Sequence, residues 1–129
     1  MPCPRLKLST LSWEDAKLSR VCDQTNQKLS FTVPEFGPGY SVKFIDFKSK
    51  GAEPPFKSTY FEVLPGCATP IDQHKVEECW IVLKGEGVLK YDDEEVKLTE
   101  QDVVHFAPHR KHQVRNDSSG PLLICSIYW

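Results

Sequence analysis

The chain has 129 residues, enough for one domain and short of what two separate cores require. Its 40% apolar, 11% aromatic and 26% charged residues and its formal charge of −2 are ordinary globular usage. That balance excludes a strongly basic nucleic-acid surface and a disordered acidic tail.

Ten prolines and seven glycines interrupt short runs rich in Val, Ile, Phe, Tyr and Trp, a pattern of an all-β domain rather than a helix bundle. No stretch reaches the roughly 20 apolar residues of a membrane-spanning helix, and the opening Met1-Pro2-Cys3-Pro4-Arg5-Leu6-Lys7 has no signal-peptide core. The expectation is a soluble cytoplasmic protein with neither a membrane nor a nucleic-acid partner. Five cysteines, Cys3, Cys22, Cys67, Cys79 and Cys125, are scattered without a CxxC pair, which argues against a disulfide framework or a zinc knuckle.

In chain order, residues 12–22 open on Ser12, carry acids in the first turn and space their apolar residues near helical period, predicting a short helix. Residues 1–28 read as an N-terminal segment holding that helix, and 29–129 as the β domain. Strands are expected over 29–33, 40–47 and 58–64, with loops over 34–39 and 48–55, the latter polar enough for a mobile edge. Residues 79–91 read as a hairpin closed by Gly85-Glu86-Gly87. Asp92-Asp93-Glu94-Glu95 is a solvated turn into a strand at 96–98, and strands at 103–106 and 122–128 complete the set. So many short strands in one small domain point to a sandwich or barrel.

All four histidines, His74, His105, His109 and His112, fall in one window with Asp72 and Glu78. Asp72 and His74 are two apart and project from one face of an extended chain. Glu78 is about 13 Å further along a straight strand at roughly 3.3 Å per residue, so the chain must bend at Lys75-Val76-Glu77 for both to reach one ion. His112 then has to come from a neighbouring strand. Glu78 shares parity with Trp80, which walls a pocket or packs the core. Phe61 and Val63 line it too, together with either Ile124 and Tyr128 or Cys125 and Ile127. His105 is a pocket or core histidine. His109-Arg110-Lys111 is a basic loop, solvated or facing a substrate carboxylate. Cys67 is read as an inert thiol and Asn116 as a turn residue.

Gly66, Asp72-Gln73-His74, Glu78 and Gly85 resemble the first cupin motif in every spacing, with Asp72 at the position of its first histidine. Residues 101–116 resemble the second motif, keeping His112 and Asn116, while Gln101, Ala107 and His109 stand at its glycine, proline and glycine landmarks. The resemblance covers about residues 58–129. It implies a double-stranded β-helix, or jelly-roll, barrel enclosing a divalent transition metal, Fe(II), Mn(II), Ni(II) or Zn(II). The implied ligands are His74, Glu78 and His112, with Asp72 either a fourth ligand or a catalytic base. Trp80, His105, Phe61 and Tyr128 are the expected substrate pocket. The implied function is a metal-dependent enzyme for a small polar metabolite of keto or carboxylate type. Proton transfer, as in an isomerase, cyclase or lyase, ranks slightly above non-haem Fe(II) dioxygenation. A cupin that binds a small ligand without turnover is the third reading, and a homodimer is the expected assembly.

Overall fold

The computed structural model describes residues 5–7, 30–32 and 39–129. In chain order these form β1 (Arg5–Lys7), β2 (Ser30–Thr32), β3 (Tyr40–Asp46), a 3-10 turn (Lys48–Lys50), β4 (Lys57–Val63), β5 (Glu78–Lys84), β6 (Gly87–Tyr91), β7 (Glu94–Leu98), β8 (Asp102–Phe106), β9 (His112–Arg115) and β10 (Leu122–Tyr128). The helix expected over 12–22 lies outside the described residues.

Seven strands make one antiparallel sheet in the order β1-β8-β5-β10-β4-β3-β2, and three make a second in the order β7-β6-β9. The two faces that meet are built by period-two alternation. Phe61 and Val63 from β4, Trp80 and Val82 from β5, Val104 and Phe106 from β8, and Leu122 and Ile124 from β10 point inward from the large sheet. Leu89 and Tyr91 from β6, Leu98 from β7 and Val114 from β9 close the core from the other side. This is the expected all-β jelly roll. The 48–55 loop is pinned at its start, where the Ser49 amide donates to Asp46 Oδ1 at 3.0 Å and the Ala52 amide to the Phe47 carbonyl at 3.1 Å.

The hairpin expected over 79–91 is not formed. β5 pairs with β8 and β10, whereas β6 pairs with β7 and β9, so the chain changes sheets at Gly85-Glu86-Gly87. Gly85 sits at φ +84°, and a Cβ there would stand 2.2 Å from the Pro121 carbonyl oxygen. Only glycine lets the backbone cross so close to the start of β10. The hairpin forms one step later, between β6 and β7 around Asp92, itself at φ 51°.

Two residues at glycine landmarks of the second motif, Gln101 and His109, keep the left-handed backbone at φ 71° and 66°. A non-glycine residue there costs about 1–2 kcal/mol, and glycine's greater unfolded-state freedom offsets about 0.5–1 kcal/mol of it. Gln101→Gly is therefore expected to stabilise the protein by about 0.5–1 kcal/mol in urea unfolding. The Gln101 amide bond to the Val82 carbonyl, at 2.9 Å, should survive the change. A less stable variant would mean that the glutamine side chain contributes more than its backbone costs.

Candidate metal centre

Three pieces of backbone converge on one end of the barrel. The stretch 68–72 runs beside β9, with the Thr69 amide bonded to the Val114 carbonyl and Asp72 and His112 exchanging both amide bonds at 2.9 Å. The chain then bends at Lys75-Val76-Glu77, as two ligands four residues apart require. His74 Nδ1 faces the Val76 carbonyl at 2.9 Å, and the His109 amide donates to the His74 carbonyl at 2.7 Å, holding the bend closed. Glu78 enters as the first residue of β5 and His112 as the first of β9.

One donor atom each of Asp72, His74, Glu78 and His112 lies within 4.8 Å of all the others. Glu78 Oε1 is 2.8 Å from His74 Nε2 and 3.1 Å from His112 Nε2. Asp72 Oδ2 stands further back, 3.8 Å from each imidazole, and its side chain is 62% exposed. His112, by contrast, is 3% exposed, stacked on Phe106 at 4.6 Å and met edge-on by Trp80 at 5.5 Å.

The donor set fits a divalent cation. A backbone carbonyl can only accept, so the Nδ1 atoms that face the Val76 carbonyl and, at 3.2 Å, the Arg110 carbonyl carry their ring protons. In each neutral ring Nε2 is then a lone pair aimed at the cluster, the tautomer a metal ligand needs. Two imidazole lone pairs then face the Glu78 carboxylate, with a second acid behind, an arrangement of acceptors answered by a bound cation or, without one, by protons on the rings. Ligand atoms about 2.1 Å from an ion stand about 3.0 Å apart when adjacent in an octahedron, close to the spacings of Glu78 and the two histidines.

The two oxygens of Glu78 are kept apart in role. Oε2 accepts from Trp80 Nε1 at 2.8 Å and from the Ser126 hydroxyl, leaving Oε1 to the histidines. Burial would raise the Glu78 pKa, but the bonds from His112, Ser126 and Trp80 outweigh it and hold the carboxyl down at about 2. His74 shifts upward: burial opposes its protonation, and the bond and charge of Glu78 more than compensate.

The cluster forms the floor of a cavity of about 440 Å³ walled by β3, β4, β5 and β10. Phe61, Trp80 and Tyr128 line it. His105 does not. It opposes Cys79 in the β5–β8 register, one residue out of phase with Glu78, so it lies on the outer face. There its Nε2 is 3.3 Å from Glu77 and its ring 6.3 Å from that of Trp129. The basic loop is also turned away: Arg110 bonds Asp92 and lies over the Tyr91 ring at 4.9 Å. In β10 the inward set is Ile124, Ser126 and Tyr128, and Cys125 and Ile127 face out.

Several cavity residues, Ser126 and Tyr40 among them, carry no mark in the sequence. Ser126 is a small polar residue in an apolar run, legible only once the parity of β10 is known. Tyr40 opens β3 beyond a loop, with no spacing tying it to the motifs. Its hydroxyl is pushed up to about 12 by burial and by the charges of Asp72 and Glu78.

A sequence profile of the cupin domain matches residues 59–128. Among solved structures, a cupin 2 domain-containing protein from Halorhodospira halophila is 31% identical, with a TM-score of 0.65 over 74% of this chain and 67% of that one. A cupin 2 conserved barrel domain protein from Rhodopseudomonas palustris is 16% identical, with a TM-score of 0.64 over 79% and 72%. Bacillus subtilis oxalate decarboxylase, which has Mn(II) centres, is 18% identical, with a TM-score of 0.68 over 75% of this chain but only 27% of its own length.

Proposed function

Since this chain belongs to the cupin family, we propose that it is a metal-dependent enzyme in which His74, Glu78 and His112 hold a divalent transition ion, Fe(II), Mn(II), Ni(II) or Zn(II), and Asp72 moves a proton on a small bound substrate of keto or carboxylate type. The observation that carries the reading is the division of labour among the acids. Glu78 Oε1 is 2.8 and 3.1 Å from the two imidazoles, while Asp72 stands 3.8 Å from both and is open to water. Mn(II) in a decarboxylase that shares the fold is consistent with a mixed imidazole and carboxylate set.

A bound divalent ion supplies a Lewis acid that polarises a substrate oxygen. The chain's own residues do the rest. Asp72 Oδ1 accepts from the Gln73 amide at 2.9 Å, which fixes the carboxylate plane and turns Oδ2 toward the cavity. An exposed carboxylate at the rim can take a proton from carbon next to a carbonyl, return it at a neighbouring atom, or exchange it with water. Phe61 and Trp80 exclude water from the inner wall, edge-to-face at 5.0 Å.

Asp72→Asn tests the proposal. The variant is expected to retain at least about half of the wild-type metal after dialysis, while proton transfer falls about 100- to 10,000-fold. Turnover is read as deuterium uptake from D2O beside the carbonyl across a panel of small ketones and keto acids. Parallel loss of metal and turnover would make Asp72 a fourth ligand. Oxygen consumption without deuterium uptake would replace proton transfer by oxygenation.

A further inference from the structure

The cavity above the metal cluster has walls of a definite chemistry. Val42 and Phe44 from β3 and Phe61 and Trp80 from β4 and β5 make it apolar, and the rings of Tyr40, Phe61 and Trp80 form a continuous edge-to-face series at 5.9 and 5.0 Å. Besides the acids and histidines, the polar side chains of the lining are those of Tyr40, Thr59, Thr69, Ser126 and Tyr128, which carry hydroxyls, and Trp80, whose Nε1 is taken up by Glu78. Among the described lining residues the charged ones are two acids, Asp72 and Glu78, beside the two histidines.

These features set the charge a ligand meets. A divalent ion held here is formally cancelled by the two carboxylates, so the loaded floor offers little net attraction to an anion. An anionic ligand would leave water for an apolar cavity without a compensating charge, which is costly. An uncharged one would lose only a few hydrogen bonds, and the Thr59 and Tyr128 hydroxyls can restore them.

Resting on the metal-dependent reading above, we infer that the substrate is an uncharged molecule of aromatic size, carrying a carbonyl or hydroxyl oxygen toward the metal cluster and laying its apolar body against Val42, Phe44, Phe61 and Trp80. This narrows the keto-or-carboxylate class to its uncharged, keto or hydroxy side. The volume of about 440 Å³ suits one small ring with short substituents, near the lower end of ordinary ligand pockets.

The test uses two matched pairs in calorimetry: benzamide against benzoate, and 2-hydroxyacetophenone against benzoylformate. Each is titrated into full-length protein loaded with Zn(II) or Mn(II), with metal content measured on the same sample, and into the metal-free protein. The uncharged partner is expected to bind at least about tenfold tighter in both forms, a difference of about 1.4 kcal/mol. Phe44→Arg, which adds one fixed positive charge to the wall, is expected to tighten benzoate at least about tenfold; if that variant does not fold, the wild-type pairs decide alone. Equal or tighter binding of the anions overturns the inference, as does binding of neither pair below about 10 mM. Failure of the metal reading is seen separately, as protein that retains no metal, and the metal-free titration still scores the charge preference.

Discussion

Glu78→Gln should abolish metal retention and yield a metal-free protein at least as stable as the metal-free wild type. Loss of partners that merely orient a ligand costs about 10- to 100-fold in affinity, and loss of the charged ligand itself should exceed the upper figure. The stability half follows from the two donors on Oε2. Trp80 Nε1 can only donate and the Ser126 hydroxyl donates to the same oxygen, so the glutamine carbonyl takes the Oε2 place. Its amide nitrogen then faces His74 Nε2 and His112 Nε2, which are 2.8 and 3.1 Å from Oε1 in the native protein. One –NH2 group carries two donors and can satisfy both lone pairs, where the native carboxylate needs a metal or a proton. The gain is about 1 kcal/mol, the size of one net hydrogen bond. Melts with and without a chelator read both halves. The wild type should lose roughly 15–25 °C on chelation, because a site-specific ion at 1,000 times its Kd stabilises by about 4 kcal/mol. The variant should lose none. A chelator shift in Glu78→Gln equal to that of the wild type would remove Glu78 from the ligand set.

Asn116→Ala should destabilise the protein by about 3 kcal/mol, lowering Tm by roughly 10–20 °C. The sequence marks Asn116 as a turn residue. It does shape the turn, but from inside, with no exposed surface. Nδ2 donates to the carbonyls of Val63 and Gly120, both at 2.8 Å, tying the end of β4 to the approach of β10. Oδ1 accepts from the Ser118 amide at 2.9 Å and hydroxyl at 2.7 Å. Truncation strands several of these groups away from water, and each costs about 1–3 kcal/mol when unanswered. Asn116→Asp separates shape from hydrogen bonding. The carboxylate fills the same volume but presents an acceptor to two carbonyls, so it should be more destabilising than alanine. Urea unfolding of the pair checks this, and an aspartate variant as stable as the wild type would sink the account.

Much of the large sheet was legible in its residues. Period-two runs such as Phe61 and Val63, or Trp80 and Val82, mark strands with one buried face, and the observed bounds depart from the expected ones by a residue or two. The cluster of Asp72, His74, Glu78 and His112 was also visible, because the spacings of the first motif and the single histidine of the second restrict the choices. What alternation leaves open is the sheet a strand joins and the side that faces inward. The 79–91 segment looked like a hairpin because a glycine-rich connection between two apolar runs has the same composition whether the chain folds back on its neighbour or crosses to the other sheet. His105 looked like a pocket residue because it neighbours inward Val104 and Phe106, and one step of register places it outside.

The sequence by itself determined the all-β class and most of the strands, β1 and β9 excepted, through local periodicity, while the motif resemblance implied the residues able to meet at one cation and with them a bend at Lys75-Val76-Glu77. Only the tertiary structure decided which oxygen of Glu78 faces the histidines, that Ser126 and Trp80 hold the other, that Asp72 stands apart, and that aromatic walls and hydroxyls rather than the basic loop surround the cavity. Each of these depends on pairing between residues distant in the chain, Glu78 with Ser126 or Asn116 with Val63, and strand register settles such pairings where composition is silent.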